Sequence, residues 1–219
     1  MKFGRLVNHD QNNRNHEFPS TIPQLDRDIE WKRLIPILDQ GDLGCCTCAA
    51  LVGAIGTEPL SDESSDITGL TIDMARYLYS IATRIDDRGP NGIPGHWPPT
   101  DTGSSGLAAA KAAEHGGLIS AYQWVFSASG LTRALSVGPV IMGMPWYDGM
   151  MQPDADGRLW PTGECVGGHE ILVRGIRGSD LIIDNSWGDG WGDRGSALLP
   201  WSVFLDLRHQ QLDITVPLK

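Results

Sequence analysis

The sequence predicts an α+β chain of two lobes, helical in its first half and β-rich in its second, with a cleft between them. Two observations carry this reading. Apolar residues at Ile72, Ala75, Leu78, Tyr79, Ala82 and Ile85 recur at helical spacing, whereas from Tyr122 onward the runs are short, β-rich and broken by turn residues. A chain of 219 residues can bury a sizeable core, as one domain or two packed lobes. The expected organisation is an extended arm over 1–30, a helical lobe over 31–120 and a β-rich lobe over 121–219.

The arm is polar and punctuated by Asn12, Asn13, Asn15, Pro19 and Pro23, which exclude a long helix. It is expected to drape over the fold and cross between the lobes. His9 and His16 within it read as solvated side chains. The loop Asp39–Gly44 then feeds a small-residue run from Cys48 to Ile55 that reads as a buried helix. A cysteine at such a junction meets unpaired N–H groups and the positive end of the helix dipole, which favour thiolate over thiol. An acidic loop spans 57–68, and the amphipathic helix follows from about Thr71, its expected N-cap, to Asp86. Pro90, Pro94, Pro98 and Pro99 make 89–99 a loop. A third helix, Leu107 to His115, is capped by serine and stopped by Gly116-Gly117.

In the second half a short helix is expected around 132–137, then a strand from Val140 to Met144. The runs from Gly168 to Val173 and from Leu181 to Asp184, separated by Arg177-Gly178-Ser179-Asp180, read as a hairpin. His169 opens its first strand and Asn185 closes its second, so the hairpin can join the two side chains. An amide oxygen accepting the Nδ1–H would fix the tautomer, leaving the other nitrogen to take a thiol proton. Further strands are expected over 195–201 and 213–218, with a helical turn or two over 201–207.

Gln40-Gly41-x-x-Gly44-Cys45-Cys46, then His169, then Asn185-Ser186-Trp187-Gly188-x-Gly190-Trp191-Gly192, resembles the papain-like cysteine peptidases, and in particular compact prokaryotic or phage-type members. That family places its His and Asn roughly 130–150 residues after the cysteine. Here His169 follows Cys46 by 123 positions and Asn185 by 139. The resemblance covers about 34–200, and its Asn-Ser-Trp-Gly-x-Gly-Trp-Gly run is the specific part. It implies a papain-like two-lobed α+β fold, a helical lobe beside an antiparallel β-barrel-like lobe. It also implies hydrolysis of peptide bonds, with Cys46 as nucleophile, His169 as base then acid, Asn185 orienting His169, and Gln40 donating to the oxyanion. Substrate contacts would fall at Gly103, Ser104, Gly168 and Trp187, with Trp187 shielding the His–Asn bond. The pocket beside the scissile bond would be lined from loops near 97–103 and 142–146. Leu43 stands where the family has a disulfide cysteine and Thr47 where it has an aromatic. Papain-like peptidases often carry a long inhibitory propeptide, and some thirty residues are too few for a folded one.

Other chemistries fare worse. Cys45-x-x-Cys48 has redox dithiol spacing, but it follows a glycine loop rather than a strand. A zinc site would need Cys165 together with cysteines that a helix splays apart, so no metal and no cofactor is expected. Asp154-Ala155-Asp156-Gly157 lacks the third acidic ligand of a calcium loop and reads as a turn. Glu170 should point to the opposite strand face from His169. A net charge of −10 with no basic patch argues against nucleic acid, and no apolar run suffices for a membrane span. The N-terminal ten residues lack a signal-peptide core, and clustered cysteines suit a reducing cytoplasm. The expected partner is therefore a peptide or protein substrate. Two alternatives share the fold: a catalytically idle peptide-binding or structural protein, as in a phage particle, or an amidase acting on cell-wall peptides.

Overall fold

Small side chains decide the first element. Helix α1, Cys46–Ile55, is buried along its whole length, because Ala49, Ala50, Gly53 and Ala54 let neighbours approach on every side. The computed structural model describes residues 2–23, 28–86 and 95–219. Pro90 and Pro94 of the expected loop lie outside the described residues.

Helix α2, Ile72–Ile85, buries Ala75, Leu78, Tyr79 and Ala82 against α1 and leaves Tyr77 exposed, as its apolar spacing requires. Thr71 occupies the N-cap position without a side-chain capping bond, so that device is absent. Helix α3, Gly106–His115, is capped by Ser105, whose hydroxyl accepts from the Ala108 N–H. Helix α4, Ala128–Leu135, starts four residues earlier than expected because the Ser127 hydroxyl caps the Gly130 N–H at 3.0 Å.

Among the described residues the strands form one seven-stranded antiparallel sheet, six from the β-rich half and one from the end of the arm. Its strands are β1 (Ile29–Glu30), β2 (Ala121–Trp124), β3 (Val140–Tyr147), β4 (Cys165–Arg177), β5 (Asp180–Asp184), β6 (Ser196–Pro200) and β7 (Asp213–Leu218). They run β2-β7-β3-β4-β5-β6, with β1 added on β4. The β4–β5 hairpin turns through Gly178 at φ +59°, a left-handed conformation that suits glycine. Helix α5, Trp201–Leu207, follows β6.

Alternation along β3 and β4 gives the sheet two dissimilar faces. Ile141 and Leu172 join the helical core around Leu51, Leu78 and Tyr79. Met142, Met144, Ile171 and Val173 join a second core with Trp146, Leu181, Leu199 and Phe204. Among its described residues the arm holds a six-residue 3-10 helix, Gln11–His16. Among the described residues no helix is long and apolar enough to cross a membrane.

Candidate active site

Cys46 is the first residue of α1 and fully buried. Its sulfur is approached by the backbone N–H groups of Glu170 on β4, Gly4 on the arm, and Thr47. His169 on β4 is also fully buried, and its Nε2 lies 2.7 Å from the Asn185 Oδ1. The bond therefore uses Nε2, not the expected Nδ1. The β4–β5 ladder stops at Leu172↔Asp184, and the distal ring nitrogen is the one that reaches across the gap to Asn185. Nδ1 has no hydrogen-bond partner, so the imidazole is not bonded to the Cys46 thiol in this arrangement.

Aromatic rings wall the imidazole. Trp187 lies 4.8 Å from the His169 ring, tilted by 32°. Trp146 lies 4.8 Å away edge-on, and Phe3 of the arm packs edge-on at 5.9 Å. Trp146 was expected only within the pocket-lining stretch 142–146, not on the imidazole, and Phe3 was not expected at all. Trp146 sits opposite Gly167, two register positions from the Met144↔His169 pair, and the strand alternation of β3 could have pointed to it.

Gln40 is buried and pinned from both ends. Its backbone N–H donates to Ser186 O at 2.9 Å, and its Oε1 accepts from the Ser186 hydroxyl at 2.7 Å. Its amide nitrogen donates to Leu43 O at 2.7 Å and Lys2 O at 2.9 Å. The motif serine beside Asn185 thus fixes the amide of Gln40, 146 positions earlier in the chain.

Residues 2–6 run as an extended segment through this site. Gly4 O accepts from Ser104 N at 2.7 Å, and Leu6 N donates to Ser104 O at 2.8 Å. Arg5 N donates to Gly168 O at 3.2 Å. Of the two expected contacts Gly103 and Ser104, the main-chain bonds to the arm fall on Ser104. The Gly103 N–H instead donates to the Tyr79 hydroxyl, which is bonded in turn to Asp101. Gly103 contributes by lacking a side chain, since a Cβ there would collide with Gly4 O. The stretch 142–146 is strand rather than loop, and its Gly143 faces the arm.

Burial pushes the Cys46 thiol up to about 12, against the favourable N–H groups. Burial likewise depresses His169 to about 4, despite the Asn185 bond that favours its charged form. The helix dipole favours a thiolate, but burial of both groups works against it and favours the neutral thiol and imidazole. Burial also raises Cys45 to about 12, and Cys48 is fully buried. Cys165 is exposed, and all four cysteines are unpaired. Among the described residues no group of three His, Cys, Asp or Glu side chains could hold a metal ion. Asp154 Oδ1 accepts from Asp156 N and Arg158 N, which makes its segment a turn.

No family model matches the sequence, and no curated protein matches it. Solved structures do. Xylellain, a cysteine protease from Xylella fastidiosa, superposes with a TM-score of 0.76 at 19% identity, covering 99% of this chain and 96% of its own. The Carica candamarcensis cysteine protease CMS1MS2 in complex with E-64 gives 0.61 at 15% identity, covering 89% and 99%. Digestive procathepsin L 3 of the Tenebrio molitor larval midgut gives 0.60 at 16%, covering 94% and 74%. The chain has the two-lobed α+β fold of the papain-like cysteine proteases.

Proposed function

We propose that this chain is a cysteine peptidase that hydrolyses peptide bonds through Cys46, His169, Asn185 and Gln40. The observation that carries the reading is the His169–Asn185 pair. It is sealed behind two tryptophans with its Nδ1 free, on the strand whose next N–H points at the Cys46 sulfur. A structural core has no need of a histidine so oriented beside a cysteine at a helix start.

His169 removes the thiol proton through Nδ1, and the sulfur attacks the substrate carbonyl. Asn185 holds the ring through Nε2, and Trp187 and Trp146 keep water from that bond. The oxyanion takes N–H donors from Gln40 Nε2 and the start of α1, and one such donor is worth about 2.7–4 kcal/mol of barrier. His169 then returns its proton to the leaving amine. Lys2 O occupies the Gln40 donor here, so an incoming peptide must displace the arm, taking its place between Ser104 and Gly168.

An electrophilic thiol probe read by mass spectrometry tests this on a chain whose arm is loosened by Arg5→Ala. Labelling is expected at Cys46 and lost in His169→Ala, with a quenched peptide cleaved by the first variant and not the second. Labelling spread equally over Cys45 and Cys48, unaffected by His169→Ala, would overturn the reading.

A further inference from the structure

Directly behind His169, three strands place a row of unusual composition. Gly143 on β3 pairs with Glu170 on β4 and with Asp213 on β7, so two carboxylates flank a glycine on one sheet face. Both carboxylates are deeply buried, and Glu170 has no exposure. Both Glu170 oxygens and Asp213 Oδ1 lack hydrogen-bond partners. Leaving such groups unpaired costs a fold a great deal, so this face is built to receive something cationic. The arm supplies it. Arg5 inserts its guanidinium, bonding Asp213 Oδ2 at 2.5 Å and Gln211 O, with Nε 3.9 Å from Glu170 Oε2.

Absent side chains make the space. A Cβ at Gly143 would collide with Arg5 Nε and lie 2.5 Å from Asp213 Oδ1 and 2.7 Å from Glu170 Oε2. A Cβ at Gly106 would lie 3.0 Å from Glu170 Oε1. Burial raises both carboxyls, while Arg5 pulls each back toward the ionised form.

The arm also gives direction. Phe3 packs on His169 and Trp187, the side where a leaving amine must meet the imidazole. Gly4 lies at the Cys46 sulfur, and Arg5 lies beyond it. The pocket is therefore on the acyl side. A substrate whose acyl part precedes its leaving group must run opposite to the arm, which passes from the leaving-group side to the acyl side as its numbers rise.

Resting on the peptidase reading above, we infer that Glu170, Asp213 and Gly143 form a specificity pocket for an arginine side chain, on the residue immediately before the one whose carbonyl is attacked. Arg5 is its internal occupant, holding the arm across the site until a peptide replaces it.

The test compares two fluorogenic amides, acyl-Arg-Gly-aminocoumarin and acyl-Leu-Gly-aminocoumarin, on the full chain carrying Arg5→Ala. The arginine amide is expected to have a kcat/KM at least tenfold above the leucine amide. Adding Glu170→Gln should bring that ratio toward one. Should that variant fail to fold, Gly143→Ala fills the same pocket and must lower the ratio too. Leucine cleaved as well as arginine overturns the pocket and leaves the peptidase reading standing. Neither amide cleaved, with Cys46 reacting no faster than an ordinary thiol, overturns the reading and the pocket with it. A second measurement needs no turnover: acyl-arginine amide should slow alkylation of Cys46 in the Arg5→Ala chain at least tenfold more than acyl-leucine amide. Equal slowing overturns the inference.

Discussion

His169 and Glu170 are neighbours on β4 and live in opposite worlds. His169 faces a box of Trp146, Trp187 and Phe3, with one amide partner and a deep depression of its basicity. Glu170 faces the helical lobe, beside a second carboxylate and a single guanidinium borrowed from the arm. One strand thus carries a dry, aromatic surround for a titrating base and a charged socket for a cation. The first is complete within the folded lobes apart from Phe3. The second is complete only while Arg5 is seated.

The contrast can be broken at several points. On the aromatic face, His169→Ala in the arm-loosened chain should lower kcat/KM for a cleaved peptide about 10⁶-fold, as loss of a triad base does. Steady-state kinetics read this, and a loss below tenfold would remove His169 from the chemistry.

On the charged face, Arg5→Ala removes one partner of a buried ion pair and should cost about 3 kcal/mol in urea unfolding. The arm can swing away and admit water to Glu170 and Asp213, which sets the lower end of that range. A loss near zero would mean the socket is already wet.

The two faces respond to pH with opposite sign. His169 has a folded pKa of about 4, below its usual 6.5. The unfolded chain therefore binds the extra proton between these values, and the stability tied to a neutral His169 is lost as pH falls through that window. Glu170 and Asp213 are raised, so their contribution is lost as pH rises through their folded values. His169→Gln should accordingly remove the acid-side loss, worth on the order of 3 kcal/mol between pH 6.5 and 4. Thermal melts of both chains across that range check it, and parallel curves would contradict it.

The smallest effect is expected at Trp146→Phe, which shortens the wall of the aromatic box. It should cost about 1 kcal/mol of stability and less than tenfold in activity, read by urea unfolding and peptide cleavage.

How far the site could be read from sequence follows the same division. Asn185, Trp187 and their glycines are contiguous, so the histidine's partner and cover were legible as a motif, and the hairpin turn at Gly178 brought His169 to them. The ring nitrogen in use was not legible, because it depends on where the β4–β5 ladder stops. Glu170 could be placed on the far face by alternation alone, yet nothing local tied it to Asp213 or to Arg5, which lie 43 and 165 positions away. The sequence led to an expectation of an extended arm crossing between lobes, and nothing local in it pointed to the pairing with Ser104 and Gly168. Helix boundaries moved for similar reasons: the Ser127 cap lay in a Ser-Ala-Ser-Gly stretch that reads as a turn.

Catalysis requires Cys46 and His169 to form one ionisable unit once the arm is released. The direct measurement is the alkylation rate of Cys46 by iodoacetamide against pH, in Arg5→Ala and in Arg5→Ala/His169→Ala. A paired thiol predicts a rate already high and flat below pH 7 in the first chain. The second chain should show only the rise of an ordinary thiol near pH 8.5. Identical profiles in the two chains would contradict the pairing of sulfur and imidazole.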